Sequence, residues 1–110
     1  MRVSEAQLDH RMLAAELGAA LREAGPIALR TFRTNVKSWT KNGNSPVSEA
    51  DIAVDKFLHE RLSRDGFGWL SEESQDDRER LNAERLFIVD PIDGTRSYLA
   101  GFADWSIVAA

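Results

Sequence analysis

The chain has 110 residues, 43% hydrophobic and 29% charged, with 14 Lys plus Arg against 18 Asp plus Glu and no cysteine. That is one domain or part of one, and a formal net charge of −4 leaves no basic footprint for a nucleic-acid polymer. Without cysteine there is no disulfide, thiolate zinc site or cysteine nucleophile. The N-terminal stretch Met1-Arg2-Val3-Ser4-Glu5-Ala6-Gln7 lacks an apolar signal core, and no apolar run has the length of a membrane span. The expected location is therefore cytoplasmic, with no membrane partner.

Ser4-Glu5-Ala6-Gln7 has the form of a capping box. Leu13, Leu17 and Leu21 follow at four-residue spacing with Ala20 and Ala24 beside them, which predicts an amphipathic helix. Pro26 lacks an amide hydrogen, so Gly25-Pro26 predicts a kink or break, with helix resuming through Ile27, Leu29 and Phe32 to about Arg33. This part reads as scaffold, and His10 has no ligand-spaced companion. Residues 34–47 are polar and contain Lys37, Lys41, Gly43, Asn44 and Pro46, the composition of a loop or short hairpin. Ser48 then precedes Glu49, Ala50 and Asp51, a helix start with acids in its first turn. Val54, Phe57, Leu58 and Leu62 supply its apolar stripe. Asp51 falls on the buried side of that helix, at the N-terminal end of the stripe. A carboxylate there needs a partner or a cation, or else complements the helix dipole; spacing does not choose between them. His59 is expected to face solvent.

Phe67 and Trp69 alternate within residues 66–70, which predicts a short strand running into Ser71-Glu72-Glu73-Ser74. The mixed charges of residues 75–84, among them Asp76, Asp77, Arg78, Glu79 and Arg80, predict a solvated loop or exposed helix. Leu86-Phe87-Ile88-Val89 is a second strand, leading into Asp90-Pro91-Ile92-Asp93-Gly94-Thr95 and a short helix over residues 96–100 closed by Gly101. Ser106-Ile107-Val108-Ala109-Ala110 reads as the start of a buried strand. An unpartnered apolar strand is an unfavourable way to end a domain, so the expectation is a portion of a longer one.

Two strands thus end in acids, at Glu72-Glu73 and at Asp90. If they are neighbours in one sheet, Glu72, Asp90 and Asp93 converge. Clustered carboxylates repel one another unless a cation sits among them. Magnesium takes a few carboxylates and keeps room for water and phosphate, whereas softer metals lack their preferred ligands here. Pro91 fixes the backbone just after the strand and turns the Ile92 carbonyl toward the same cation. Gly94 permits an unusual turn, and the Gly94 and Thr95 amides at a helix start point at an anion. The Thr95 hydroxyl is placed to hold and polarise a water. The same residues also fit a plain Asp turn with Asp93 as N-cap.

Asp90-Pro91-Ile92-Asp93-Gly94-Thr95 resembles the signature of the inositol monophosphatase-like phosphatases. Glu72-Glu73 resembles their Glu-Glu pair, with Ser71 standing where glycine is usual. Ser45-Pro46-Val47-Ser48-Glu49-Ala50-Asp51 resembles their S-P-V-T-x-A-D segment. The resemblance implies an α/β (α+β) fold in which N-terminal helices pack on a mostly antiparallel sheet, a layered sugar-phosphatase-like arrangement. Residues 1–110 would form the N-terminal portion of a single such domain. It implies Mg2+ held by Glu72, Asp90 and the Ile92 carbonyl, a second ion bridged by Asp90 and held by Asp93, and a third touching Glu72. Asp51 and Thr95 would orient the attacking water, with Glu72 counted in the catalytic set, and the Gly94 and Thr95 amides would hold the phosphate.

The implied reaction is hydrolysis of a small phosphate monoester by metal-activated water. The substrate would be an inositol phosphate or a 3'(2'),5'-bisphosphate nucleotide, and Arg96-Ser97-Tyr98-Leu99-Ala100-Gly101 looks more like the bacterial, nucleotidase-like members. Lithium inhibition is also implied, and a homodimer is an assembly the resemblance allows. The family carries a further Asp in a Trp-Asp segment; Asp104-Trp105 has the reverse order and comes too early. The 110 residues by themselves are therefore expected to be weakly active or inactive. Two rivals stay open: a haloacid dehalogenase-like phosphatase, whose D-x-D-G-T motif uses an Asp nucleophile, and a non-catalytic truncated relative.

Overall fold

A computed structural model describes residues 4–74 and 78–110. Its elements are α1 (Glu5–Thr31), β1 (Ser38–Lys41), β2 (Ser45–Ser48), α2 (Glu49–Leu62), β3 (Phe67–Ser71), a 3₁₀ helix (Arg78–Asn82), β4 (Arg85–Asp93), α3 (Thr95–Ala100) and β5 (Ser106–Ala109).

The capping box at the start of α1 forms as expected: Gln7 N donates to Ser4 Oγ at 3.1 Å and Ser4 N to Gln7 Oε1 at 3.0 Å. Of the kink or break expected at Gly25-Pro26, the break does not form. Helix α1 runs through Pro26 to Thr31, two residues short of Arg33, whose φ of 61° lies in the left-handed region. Pro26 sits on the exposed face, while Ala24 and Ala28 on either side are fully buried. Packing of that face offsets the lost hydrogen bond and the ring clash, together about 3 kcal/mol. The seam against α2 is made by Ala20, Ala24 and Ala28, whose small side chains let Val54, Leu58 and Leu62 approach; Leu13 and Leu17 are only partly buried beside it.

Strands β1 and β2 form an antiparallel hairpin, as the composition of residues 34–47 predicts. Strand β4 lies in the middle of a three-stranded sheet, parallel to β3 from Phe67↔Arg85 to Ser71↔Val89 and antiparallel to β5. The fold is thus the expected mixture of helices on a sheet, with antiparallel pairs in the majority and β3·β4 the parallel exception. Along β4, Phe87 and Val89 are buried against the helices while Ile88 is half exposed on the other face. Residues 86–89 therefore alternate across one covered face.

The strand does not stop at Asp90 but carries Pro91 and ends at Asp93. Pro91 has no N–H for a ladder, and the pairing with β5 shifts register between Asp90 and Asp93. In β3, a Cβ added at Gly68 would meet Arg80 Cα at 2.9 Å, so glycine is what lets the 3₁₀ helix lie on the strand. Within the charged stretch, residues 75–77 fall outside the described residues; Arg78 and Leu81 are exposed. His10 and His59 face solvent, His59 stacked on Trp69 with centroids 4.6 Å apart.

Tyr98 fastens α3 to this scaffold. Its side chain is 1% exposed, its hydroxyl donates to the Ala28 carbonyl at 2.8 Å, and Thr31 Oγ1 lies 2.6 Å from it. Phe32 and Trp105 pack against its ring at 5.5 and 5.1 Å.

Candidate active site

The parallel pairing of β3 and β4 decides where the acids go. Ser71 stands opposite Val89, so Glu72 and Asp90 emerge at the same end of adjacent strands. Glu72 N donates to the Val89 carbonyl at 3.2 Å. This end of the sheet, the start of α3 and the β1–β2 hairpin border an open cavity of about 310 Å³ lined by Lys41, Glu72, Glu73, Asp90, Ile92, Gly94, Thr95 and Arg96, among others. Glu72, Asp90, Ile92, Gly94 and Thr95 of the expected set meet there. Asp93 is exposed at the end of β4 and is not part of the cavity wall. Asp51 is fully buried behind Thr95.

Asp51 is held by the N-terminus of its own helix. Ser48 N and Ser48 Oγ donate to Oδ2 at 2.9 and 2.6 Å, and Asp51 N donates back to Ser48 Oγ at 3.3 Å. This is a capping box with Asp51 in the third helical position. The other oxygen, Oδ1, accepts from Thr95 Oγ1 at 2.8 Å. A buried carboxylate with both oxygens engaged is what burial demands. Both alternatives left by spacing are realised together: Asp51 caps its helix and also reaches into the site. Thr95 Oγ1 also lies 3.1 Å from the Ile92 carbonyl. A hydroxyl has one proton to give, and when it goes to Asp51 the threonine lone pairs are left for another donor.

Gly94 occupies the N-cap of α3 with φ 92° and ψ 40°, without a side-chain cap; the alternative with Asp93 as N-cap is not what forms. A Cβ at Gly94 would stand 2.9 Å from the Asp104 carbonyl oxygen. Only glycine therefore suits both the left-handed backbone and the chain crossing beneath it.

The electrostatics of the cavity centre on Asp90. Burial raises its pKa first, then the charges of Asp93, Glu72, Glu73 and Asp51, from the ordinary 3.8 to about 6. Glu73 is also pushed upward, by burial, against the opposing pull of Lys41. Lys41 Nζ donates to Glu73 Oε1 at 2.9 Å and to the Glu72 carbonyl at 2.8 Å, tying the hairpin to the acidic turn. Arg96 reaches back to the Asn44 carbonyl at 2.6 Å. Among the described residues no three carboxylates or imidazoles stand close enough to form a finished metal site. The donor set still fits a hard cation. It consists of carboxylates and a carbonyl, the ligands magnesium prefers, and their mutual repulsion at Asp90 is what a cation would relieve.

Sequence reasoning missed three contributors. Lys41 carried no signal beyond loop composition. Asp55, one turn after Asp51 on α2, is 8% exposed and accepts from Ser71 Oγ and Ser74 Oγ. The four-residue spacing from Asp51 placed it on the same face, a signal that was available. Ser74 has no local signature.

A family model described as the inositol monophosphatase family matches residues 8–110. The 3'-phosphoadenosine 5'-phosphate phosphatase of Mycobacterium leprae (strain TN) is 52% identical over 48 residues, 43% of this chain and 18% of that protein. A Streptomyces griseus protein named glucose-1-phosphate thymidylyltransferase is 48% identical over 104 residues, 93% of this chain and 37% of that one; its name denotes nucleotidyl transfer, a different reaction from ester hydrolysis. The crystal structure of the extragenic suppressor protein SuhB from Bartonella henselae superposes with a TM-score of 0.82 at 30% identity, over 90% of this chain and 40% of that one. The chain thus spans at most about two fifths of the length of these relatives. It belongs to the inositol monophosphatase family.

Proposed function

We propose that the protein hydrolyses a small phosphate monoester, with magnesium as cofactor and water as nucleophile. The observation that carries this reading is the cavity in which Glu72, Asp90 and Ile92 lie beside Gly94 and Thr95, with Asp51 hydrogen-bonded to the Thr95 hydroxyl. Glu72, Asp90 and the Ile92 carbonyl would hold Mg2+, and Asp93, outside the cavity wall, would hold a second ion with Asp90; the metal would supply a Lewis acid for the phosphoryl oxygens and lower the pKa of a water. Thr95 accepts a hydrogen bond from that water while giving its own proton to Asp51, so the pair fixes the direction of attack. The backbone amides of Gly94 and Thr95 bind the phosphate oxygens.

The substrate class is a phosphorylated small polyol or nucleotide. The Mycobacterium leprae relative is named for 3'-phosphoadenosine 5'-phosphate, which favours the bisphosphate-nucleotide reading over inositol phosphate. The family resemblance places one further carboxylate ligand in a segment outside these 110 residues, so the ligand set here is partial and turnover by the chain alone is expected to be weak. Cytoplasmic location and a homodimer remain part of the proposal.

The test is titration calorimetry with Mg2+ on the chain and on Asp90→Asn, followed by phosphate release from 3'-phosphoadenosine 5'-phosphate and inositol 1-phosphate with and without EDTA. Binding by the parent and none by Asp90→Asn is the expected result, with any phosphate release abolished by EDTA. Absence of Mg2+ binding in a folded parent overturns the reading. So does a beryllofluoride adduct on Asp90, or pyrophosphate release from dTTP and glucose 1-phosphate.

A further inference from the structure

The Glu72–Glu73 turn is held from two sides. Toward the hairpin, Lys41 binds Glu73 Oε1 and the Glu72 carbonyl. Toward the helices, the two serines that bracket the turn both donate to Asp55: Ser71 Oγ to Oδ1 and Ser74 Oγ to Oδ2. Ser71 Oγ in turn accepts from Glu73 N at 3.2 Å, and Ser74 Oγ accepts from Trp69 Nε1 at 3.4 Å. One carboxylate on α2 thereby closes a ring of hydrogen bonds around both acids. These partners are hydroxyls, and Asp55 stands close enough to the acidic turn to contribute, after burial, to the raised pKa of Glu73. A buried charge in that position is unfavourable electrostatically. What it provides is geometry. Ser71 stands where the related motif has glycine, which has no hydroxyl to offer such a clamp.

We propose that Asp55 is a positioning residue, which through Ser71 and Ser74 fixes the Glu72–Glu73 turn in the conformation that presents Glu72 to the cavity. The inference rests on the metal-site reading above for its purpose, but the clamp itself is testable without metal. The helix places Asp55 four residues after Asp51, on one face. A single element thus supports both halves of the site, Thr95 through Asp51 and the acidic turn through Asp55.

The experiment is amide hydrogen exchange at Glu72, Glu73 and Ser74, read by NMR on the chain, Ser71→Ala, Ser71→Thr and Asp55→Asn in EDTA, with Mg2+ calorimetry on the same proteins. Ser71→Ala and Asp55→Asn are expected to exchange about tenfold faster or more at Glu72 and Glu73, with the amides of Ala24 and Leu58 unchanged, since local opening is independent of the core. Ser71→Thr keeps the hydroxyl and should restore slow exchange, a rescue that a purely steric role would not give. Mg2+ affinity should fall about three- to tenfold in Ser71→Ala, at or below the range for supports of metal ligands. Unchanged exchange in folded Ser71→Ala and Asp55→Asn overturns the proposal. If Asp55→Asn fails to fold, Ser71→Ala decides alone. If the parent binds no Mg2+, the metal-site reading fails while the exchange data still decide the clamp.

Discussion

Replacing Asp90 by Asn should make the metal-free protein more stable at neutral pH. In the folded chain Asp90 titrates at about 6, against 3.8 ordinarily, because burial and then the neighbouring acids disfavour its charge. Between those two values the folded chain keeps a proton that the unfolded chain has lost. Stability contributed at low pH therefore falls as pH rises through this window and stays lost above about 6. At about 1.4 kcal/mol per pH unit the shift amounts to about 3 kcal/mol. The carboxylate is half open to solvent, and screening reduces this to about 1 kcal/mol. With a urea slope of about 1–2 kcal/mol/M for a small domain, Asp90→Asn should unfold about 0.5–1 M later than the parent at pH 7.5 in EDTA. Near pH 4 the two midpoints should coincide. Adding 10 mM Mg2+ should reverse the order at pH 7.5, since a ligand that binds only the folded state stabilises it and the variant has lost a ligand. An Asp90→Asn midpoint at or below that of the parent at pH 7.5 in EDTA would refute the claim that the acids crowd one another at Asp90.

Three further substitutions probe the parts around it. Asp51→Asn removes the charge from an acceptor of three donated hydrogen bonds; it should lower stability by about 2 kcal/mol and slow any Mg2+-dependent phosphate release by about 10²–10⁴, and unchanged release would remove Asp51 from the catalytic set. Gly94→Ala puts a Cβ 2.9 Å from the Asp104 carbonyl at a φ of 92°, for an expected loss of about 2 kcal/mol in a thermal melt; a melt matching the parent would mean that the turn relaxes freely. Pro26→Ala restores a backbone donor on the exposed face of a helix that is already continuous, and a gain of about 1–3 kcal/mol is expected in urea; a loss would show that the helix is built around the proline.

Features set by neighbours in sequence were legible before the structure. The cap at Ser4, the helix start at Ser48, the hairpin and the acids at two strand ends all follow from local chemistry. So did the condition for the site, that the strand before Glu72 and the strand before Asp90 be adjacent. What spacing did not reveal was that they pair in parallel, or that β4 continues through Pro91. Both depend on what packs above the sheet. Pro26 shows the same limit from the other side, since its local preference to break the helix loses to the seam of Ala20, Ala24 and Ala28 against α2. The Asp55 clamp and the Lys41 brace join residues 16 to 32 positions apart, and nothing in either segment alone selects its partner.

The two oxygens of Asp51 show how closely folding and chemistry are joined in this chain. Oδ2 is occupied by Ser48, twice, and that pair alone would make Asp51 an ordinary helix cap. The cap also fixes the carboxylate plane, so that Oδ1 has one direction left, toward Thr95. Thr95 is in turn anchored by the turn at Gly94 and by Tyr98, which ties α3 to the end of α1. The first helix, read from sequence as scaffold without chemistry, therefore holds one side of the Thr95–Asp51 contact and α2 holds the other. Loosening the end of α1 should disturb that hydrogen bond before it disturbs Glu72, which is held by the Val89 carbonyl and by the Asp55 clamp, whereas loosening α2 should disturb both halves of the site at once.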